Sequence, residues 1–364
     1  MATHQAQRHR RILVTGGAGY LGSVLVPALL DLDYQVSVVD RCFFGRDPLA
    51  PVLDHPQLRF YEEDIAHPDV LPRLLDDVDA VVHLASISND PTCDLDPNLT
   101  IETNYLATQS LAQLAQDHGV RQFVFASSCS VYGASGSRQL DEESQTGPVT
   151  LYALTKLASE RDLLDLSSAG FGVTSLRFAT LFGLSPRMRF DLAVNTMTRR
   201  GLMGQPIFIN GSGSQYRPFV HVRDVADAII LVLQAKSERV RGRVFNVGGN
   251  DLNYTIEELA DTVAAAFPGL DVERRSAKDD ARSYRVQFDR IRQTLGFVPR
   301  RTILDAVEEI REAVDLQQLG DLDDDNYSNL SVMNRIYGEA AVTPPHGSSV
   351  PTDSFTAKRV DVAR

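Results

Sequence analysis

Three side chains in the first half of the chain have the types and spacing for moving a proton off a hydroxyl group. Tyr152 and Lys156, in YALTK, are four residues apart, so on a helix both project from one face. An ammonium beside a phenol stabilises phenolate and lowers a pKa that starts at about 10, so the tyrosine can take a hydroxyl proton while hydride leaves the same carbon. Ser128 lies upstream in QFVFASS, at the end of a predicted strand, where its hydroxyl can orient the reacting group and share the proton. A lone YxxxK is frequent by chance and reads as an exposed helical face. Its surroundings decide between the two readings.

Those surroundings are a dinucleotide-type loop and the elements that position it. Gly16, Gly19 and Gly22, in TGGAGYLG, follow the apolar run RILVTG and open the helical segment LGSVLVPALLDL. Glycines at this spacing permit a tight turn and bring the backbone around Tyr20 and Leu21 against a pyrophosphate at a helix N-terminus. Asp40 ends the next strand, QVSVVD, where a carboxylate accepts hydrogen bonds from ribose hydroxyls and repels a 2′-phosphate. That favours NAD; Arg41 beside it is the feature that speaks for NADP. Asp64 and Ile65 close a third strand where adenine would sit, and Leu84, Ala85, Ser86 and Ser88, in HLASIS, line the nicotinamide and pyrophosphate.

The order of elements predicts the fold. Candidate strands at 11–16, 35–40, 58–64, 79–85, 122–128 and 172–180 alternate with helical segments, giving an α/β, Rossmann-type doubly wound parallel sheet with a smaller C-terminal substrate lobe. The NAD-binding domain spans 11–180 and is rejoined at about 217–250; 181–216 and 251–318 form the substrate lobe. SPRMRFDLAVNTMTRRGLMG reads as one helix, and YTIEELADTVAAAF as another whose Thr255 and Glu258 make a capping box. Residues 1–10 and about 340–364 read as disordered tails, and most of the stretch from 319 as mobile in isolation, although YSNLSVMNRIYG can dock as an arm.

Composition narrows the partners. The 364 residues carry a net charge of −12, against a nucleic-acid surface, and no apolar run is long enough to span a bilayer. Cys42, Cys93 and Cys129 show no metal spacing and fit reduced thiols in a cytoplasm. No metal site is expected. His83 and His221, single histidines near the sheet edge, read as structural groups.

TGGAGYLG, Asp40, HLASIS, SSCSVYG and YALTK, in this order, resemble the extended short-chain dehydrogenase/reductases, specifically the nucleotide-sugar epimerase/dehydratase family, over about residues 11–317. The resemblance implies a catalytic triad of Ser128, Tyr152 and Lys156, with Asn104 in NYLAT supporting the lysine. It also implies a nucleotide-diphosphate sugar as substrate, held by Arg217 and Arg282 on the diphosphate, with Asn195 near the same phosphates and Thr180 beside the sugar. A homodimer formed by pairing of the Asn104 and Tyr152 helices is implied as well. The stretch RFATLFGLSPRMRFDLAVNTMTRRG is further similar to members that oxidise or epimerise GDP-heptoses.

Within that family, 4,6-dehydratases have an Asp-Glu pair after the catalytic hydroxyl residue, one carboxyl protonating the departing C6 hydroxyl and the other removing the C5 proton. Cys129 and Ser130 stand there instead, and neither is a good base at neutral pH. Dehydration is therefore disfavoured. An NAD-dependent 4-epimerase is the leading expectation, followed by a nucleotide-sugar 4-oxidase or 4-ketoreductase acting on a heptose or deoxysugar. A non-catalytic NAD(H)-sensing protein needs the glycine loop but not the triad.

Overall fold

The computed structural model describes residues 11–277 and 282–338, so both predicted terminal tails lie outside the described residues. Seven strands form the central sheet: β1 (Arg11–Thr15), β2 (Gln35–Asp40), β3 (Leu58–Glu62), β4 (Ala80–His83), β5 (Gln122–Ser128), β6 (Gly172–Phe178) and β7 (Arg243–Val247). Their order across the sheet is β7-β6-β5-β4-β1-β2-β3, and every pairing is parallel. The order in which strands are added therefore reverses between β1 and β4, the switch point where such sheets open a crevice at their carboxyl edge.

These strands read as continuous apolar runs because both faces are covered. In β1, Ile12 and Val14 pack into the core on one face while Leu13 joins Val39, Val81, Phe123 and Phe125 on the other. The two layers of helix thus fix which strand residues reach the carboxyl edge.

A second core, around Phe182, Val194, Phe219, Leu259 and Val307, builds the smaller lobe. There the strand Thr180–Phe182 runs parallel to Tyr216–His221, which pairs antiparallel with Asn253–Thr255. The helix Ile256–Ala264 opens with the capping box of Thr255 and Glu258. Its neighbour, Ile303–Asp315, opens with a second box, Thr302 and Asp305.

Two expectations change. The helix read over 185–204 is confined to Ala193–Leu202, because Pro186 and the buried groups Arg187 and Arg189 hold 185–192 as a loop along the cleft. The stretch 319–338 is docked rather than loose. Its backbone and rings are tied to the lobe: Phe190 N donates to Tyr327 O at 2.9 Å, the two rings stack edge-on at 5.1 Å, and Arg199 Nη1 donates to Leu322 O at 3.0 Å. The arm ends in the short helix Asn329–Met333 and a turn through Gly338.

Candidate active site

Ser128, Tyr152 and Lys156 meet at the carboxyl edge of β5. Thr150 caps the helix Leu151–Asp165, its hydroxyl accepting from Ala153 N at 3.3 Å, so the helix starts one residue before Tyr152. One turn on, Lys156 Nζ donates to Ala126 O at 2.9 Å and lies 5.1 Å from the Phe125 ring centroid and 5.8 Å from that of Tyr152. Tyr152 and Ser128 both line the cleft, and the Ser128 hydroxyl works against the effect of burial on the phenol. Burial pushes the Tyr152 phenol above its usual range, and burial draws Lys156 down to about 8. Lys156 thus places a cation beside the Tyr152 ring.

All the predicted cofactor residues, from Gly16 to Lys156, line one cleft of about 650 Å³, together with Ser130, Thr180, Arg217 and Arg282. Gly16 has φ +70°, and a Cβ there would stand 2.7 Å from Ala85 N. At Gly22 a Cβ would stand 2.3 Å from Gly16 O and 2.5 Å from Gly17 Cα. Only glycine lets the first loop fold so tightly onto its helix. Asp40 accepts from Ala18 N at 2.9 Å and Cys42 N at 2.8 Å, which joins the glycine loop to the end of β2. Burial raises its pKa. Arg41 is committed elsewhere, 3.0 Å from Asp64 Oδ2 and 4.4 Å from the centroid of the Phe43 ring.

The donor set fits a dinucleotide. Arg187, 4% exposed, stacks 3.9 Å from the Phe44 ring centroid, and its backbone N–H reaches Ser23 Oγ in the first helix at 3.4 Å. Its Nη2 is buried without a partner among the described residues, and burial, then Arg189, lowers its pKa to about 9. A buried cation with an open N–H beside the first helix suits a diphosphate. Arg187→Ala should weaken NAD binding about tenfold or more, since hydrogen bonds to charged groups are worth about 1.5–3 kcal/mol. Fluorescence titration checks this; an unchanged Kd would remove Arg187 from the site.

Asn195 and Asn104 sit differently from expectation, and Cys129 fills the strand end. Asn195 is fully buried outside the cleft lining: Oδ1 accepts from Gly183 N at 3.0 Å, and Nδ2 donates to Arg189 O at 2.9 Å and Tyr20 OH at 3.1 Å. It staples the 183–189 loop and has nothing left for a phosphate. Cys129 points inward, its thiol donating to Arg177 O at 3.2 Å, and burial pushes its pKa far above the usual thiol range. It is no acid or base. Asn104 makes no hydrogen bond to Lys156 among the described residues: Oδ1 accepts from Ile87 N at 2.8 Å and Nδ2 donates to Ile87 O at 2.9 Å, so it clamps the loop after β4.

The remaining residues are accounted for. Ser130 lines the cleft with a buried hydroxyl that has no partner among the described residues. Arg217 Nη1 donates to Tyr216 O at 2.8 Å and to the backbone oxygen of Arg282, whose own side chain pairs with Asp90. Ser86 donates to Asn104 Oδ1 at 3.1 Å, and Ser88 Oγ accepts from Arg189 Nη1 at 3.3 Å. His83 is held by Thr15 and Thr108 at 2.7 and 2.8 Å, and burial lowers it to about 3; His221 pairs with Glu309 at 2.6 Å. The sequence reading missed Arg187, Arg189, Asp191 and Asn329. Paired arginines in SPRMR, in front of an apolar helix, were the available signal for the first two.

A parallel sheet with a glycine loop, a ribose-side carboxylate and a buried Ser-Tyr-Lys cluster defines a dinucleotide-linked enzyme acting on hydroxyl groups. The chain belongs to the NAD dependent epimerase/dehydratase family, whose model matches residues 12–248. It is similar to a dTDP-glucose 4,6-dehydratase of Streptomyces niveus, 31% identical over 83% of this chain and 92% of the relative. It is likewise similar to a UDP-glucose 4-epimerase of Azospirillum brasilense, 30% identical over 84% and 92%. Among solved structures, MoeE5 in complex with UDP-glucose and NAD is 30% identical with a TM-score of 0.72, covering 84% of this chain and 99% of that one.

Proposed function

We propose that the protein is a nucleotide-sugar 4-epimerase working through a 4-keto sugar. The observation that carries this reading is the residue pair after Ser128: a thiol turned into the core and a hydroxyl in the cleft, where a dehydratase needs two carboxyl groups. The carboxylates nearest the sugar end, Asp90 and Asp191, are tied to Arg282 and Arg189. Bound NAD would supply the hydride acceptor and donor.

The chain's own residues do the rest. Tyr152, assisted by Ser128, removes the C4 hydroxyl proton, and Lys156 holds the resulting charge. Arg217 and Arg282 hold the diphosphate while the keto sugar turns to offer its opposite face for return of the hydride, and Tyr152 returns the proton to the C4 oxygen. Asp40 in the cleft and the commitment of Arg41 to Asp64 favour NAD over NADP.

The test is incubation of the purified protein, without added cofactor, with UDP-, GDP-, dTDP- and CDP-sugars, followed by mass spectrometry and proton NMR. A mass-neutral product from catalytic turnover supports epimerisation. A product two mass units lighter establishes oxidation instead, and loss of water overturns the reading of Cys129 and Ser130.

The protein is also read as a homodimer. Ile101, Leu106 and Leu154, on or beside the Asn104 and Tyr152 helices, are 40%, 52% and 51% exposed, an unusual density of large apolar groups for a free face. Leu106→Glu with Leu154→Glu should convert a dimer to a monomer in sedimentation velocity. A wild-type monomer at micromolar concentration rules the dimer out.

A further inference from the structure

We infer that Asn329, carried by the C-terminal arm, is a specificity residue that accepts a hydrogen bond from a hydroxyl of the sugar. This rests on the reading of the cleft as a nucleotide-sugar site. Asn329 lines the cleft and is 5% exposed, yet its Oδ1 has no hydrogen-bond partner among the described residues. Its nitrogens are engaged: Nδ2 donates to Ser88 Oγ at 3.1 Å and the backbone N–H to Asp191 Oδ2 at 3.2 Å. A buried amide oxygen without a donor is unfavourable by itself. It is at home where a ligand brings the donor.

The position of Asn329 says which part of a ligand that is. Ser88 follows β4 at the carboxyl edge, and Arg189, which also donates to Ser88, acts electrostatically on Tyr152. One turn beyond Asn329, Met333 packs with Ile87 and Cys93, and Tyr152 lies against the same cluster. The arm therefore meets the reacting end of the cleft. An amide oxygen repels phosphate and accepts from O–H, so the group it reads belongs to the sugar and not to the diphosphate.

The anchor is also stiff enough for discrimination. Asp191 is clamped by Arg189 at 2.9 Å through both carboxylate oxygens and takes a third hydrogen bond from Asn89 Nδ2 at 3.0 Å. Asn329 thus donates to a fixed acceptor on each side and keeps one open acceptor of its own. It lies outside the 12–248 stretch matched by the family model.

The experiment is calorimetric binding of UDP-, GDP- and dTDP-glucose, their C2-, C3- and C6-deoxy analogues, and the free diphosphates UDP, GDP and dTDP, to wild-type protein, Asn329→Leu and Asn329→Ala. NAD titration serves as the folding control. Both variants are expected to bind the preferred nucleotide sugar about tenfold more weakly, as for one lost hydrogen bond. They should bind NAD and the matching diphosphate within twofold of wild type. One deoxy analogue should bind wild type and variant equally, which identifies the hydroxyl read. Equal losses for diphosphate and sugar nucleotide would reduce Asn329 to a structural residue, and no loss in either variant would overturn the inference. A wild-type protein that binds the diphosphates but no sugar nucleotide would overturn the functional reading itself, and this inference with it.

Discussion

On the proposed mechanism, Tyr152→Phe should lower turnover by about 10²–10⁴-fold and leave NAD affinity unchanged, because it removes the proposed proton acceptor while the ring keeps its packing. Single-turnover assays on the preferred sugar nucleotide, with an NAD titration alongside, check both halves; undiminished turnover removes Tyr152 from the mechanism. Lys156→Met should produce a comparable loss, with a second signature in stability. The folded-state pKa of Lys156, about 8, lies below its ordinary value of 10.5, so between those pH values the unfolded chain binds more protons than the folded one. Stability then rises with pH. Wild type should gain on Lys156→Met across that window by up to about 3 kcal/mol, and lose the gain as the pH falls through 8. Denaturation curves at several pH values read this directly, and a pH-independent difference would mean that the lysine is not buried as described.

The second large effect lies beneath the site. Glu160, 2% exposed, accepts from Arg177 Nη2 at 2.5 Å and Nε at 3.1 Å, and from Ser175 Oγ at 2.7 Å. Arg177 in turn donates to Tyr132 OH at 2.9 Å, and its carbonyl receives the Cys129 thiol. The pair therefore supports the turn that follows Ser128 from below. Glu160→Leu leaves a buried guanidinium without its counter-ion and should cost about 3–5 kcal/mol of stability. The double variant Glu160→Leu/Arg177→Met should recover much of that, since the cost is mostly the orphaned charge. A double variant no more stable than the single one would place the cost in packing instead. Either way, turnover should fall with Glu160→Leu as the turn loosens.

What the sequence reveals here is what is encoded locally. The glycine spacing after a strand, a carboxylate at the end of the next strand and a tyrosine and lysine one turn apart are short-range patterns, and the alternation of apolar runs dictates a parallel sheet. Asn195 was misplaced for the opposite reason. Which way a side chain faces on a buried helix or strand end depends on packing partners distant in sequence: Gly183, Arg189 and Tyr20 for Asn195, Arg177 for Cys129. Loop 185–192 and the arm owe their order to buried contacts of the same long range, such as Phe190 with Tyr327.

The arm also bears on the order in which the enzyme is made. Asn329 and Ser88 are 241 residues apart, the widest separation among the side-chain hydrogen bonds of the cleft described above. On the ribosome, the glycine loop, β2 and the triad emerge first, so a nascent chain can gather its dinucleotide half well before the wall that faces the sugar exists. Closing so long a loop is entropically costly and comes late in folding. The dinucleotide half of the site is thus assembled from early segments of the chain, and the sugar half is completed by a late one.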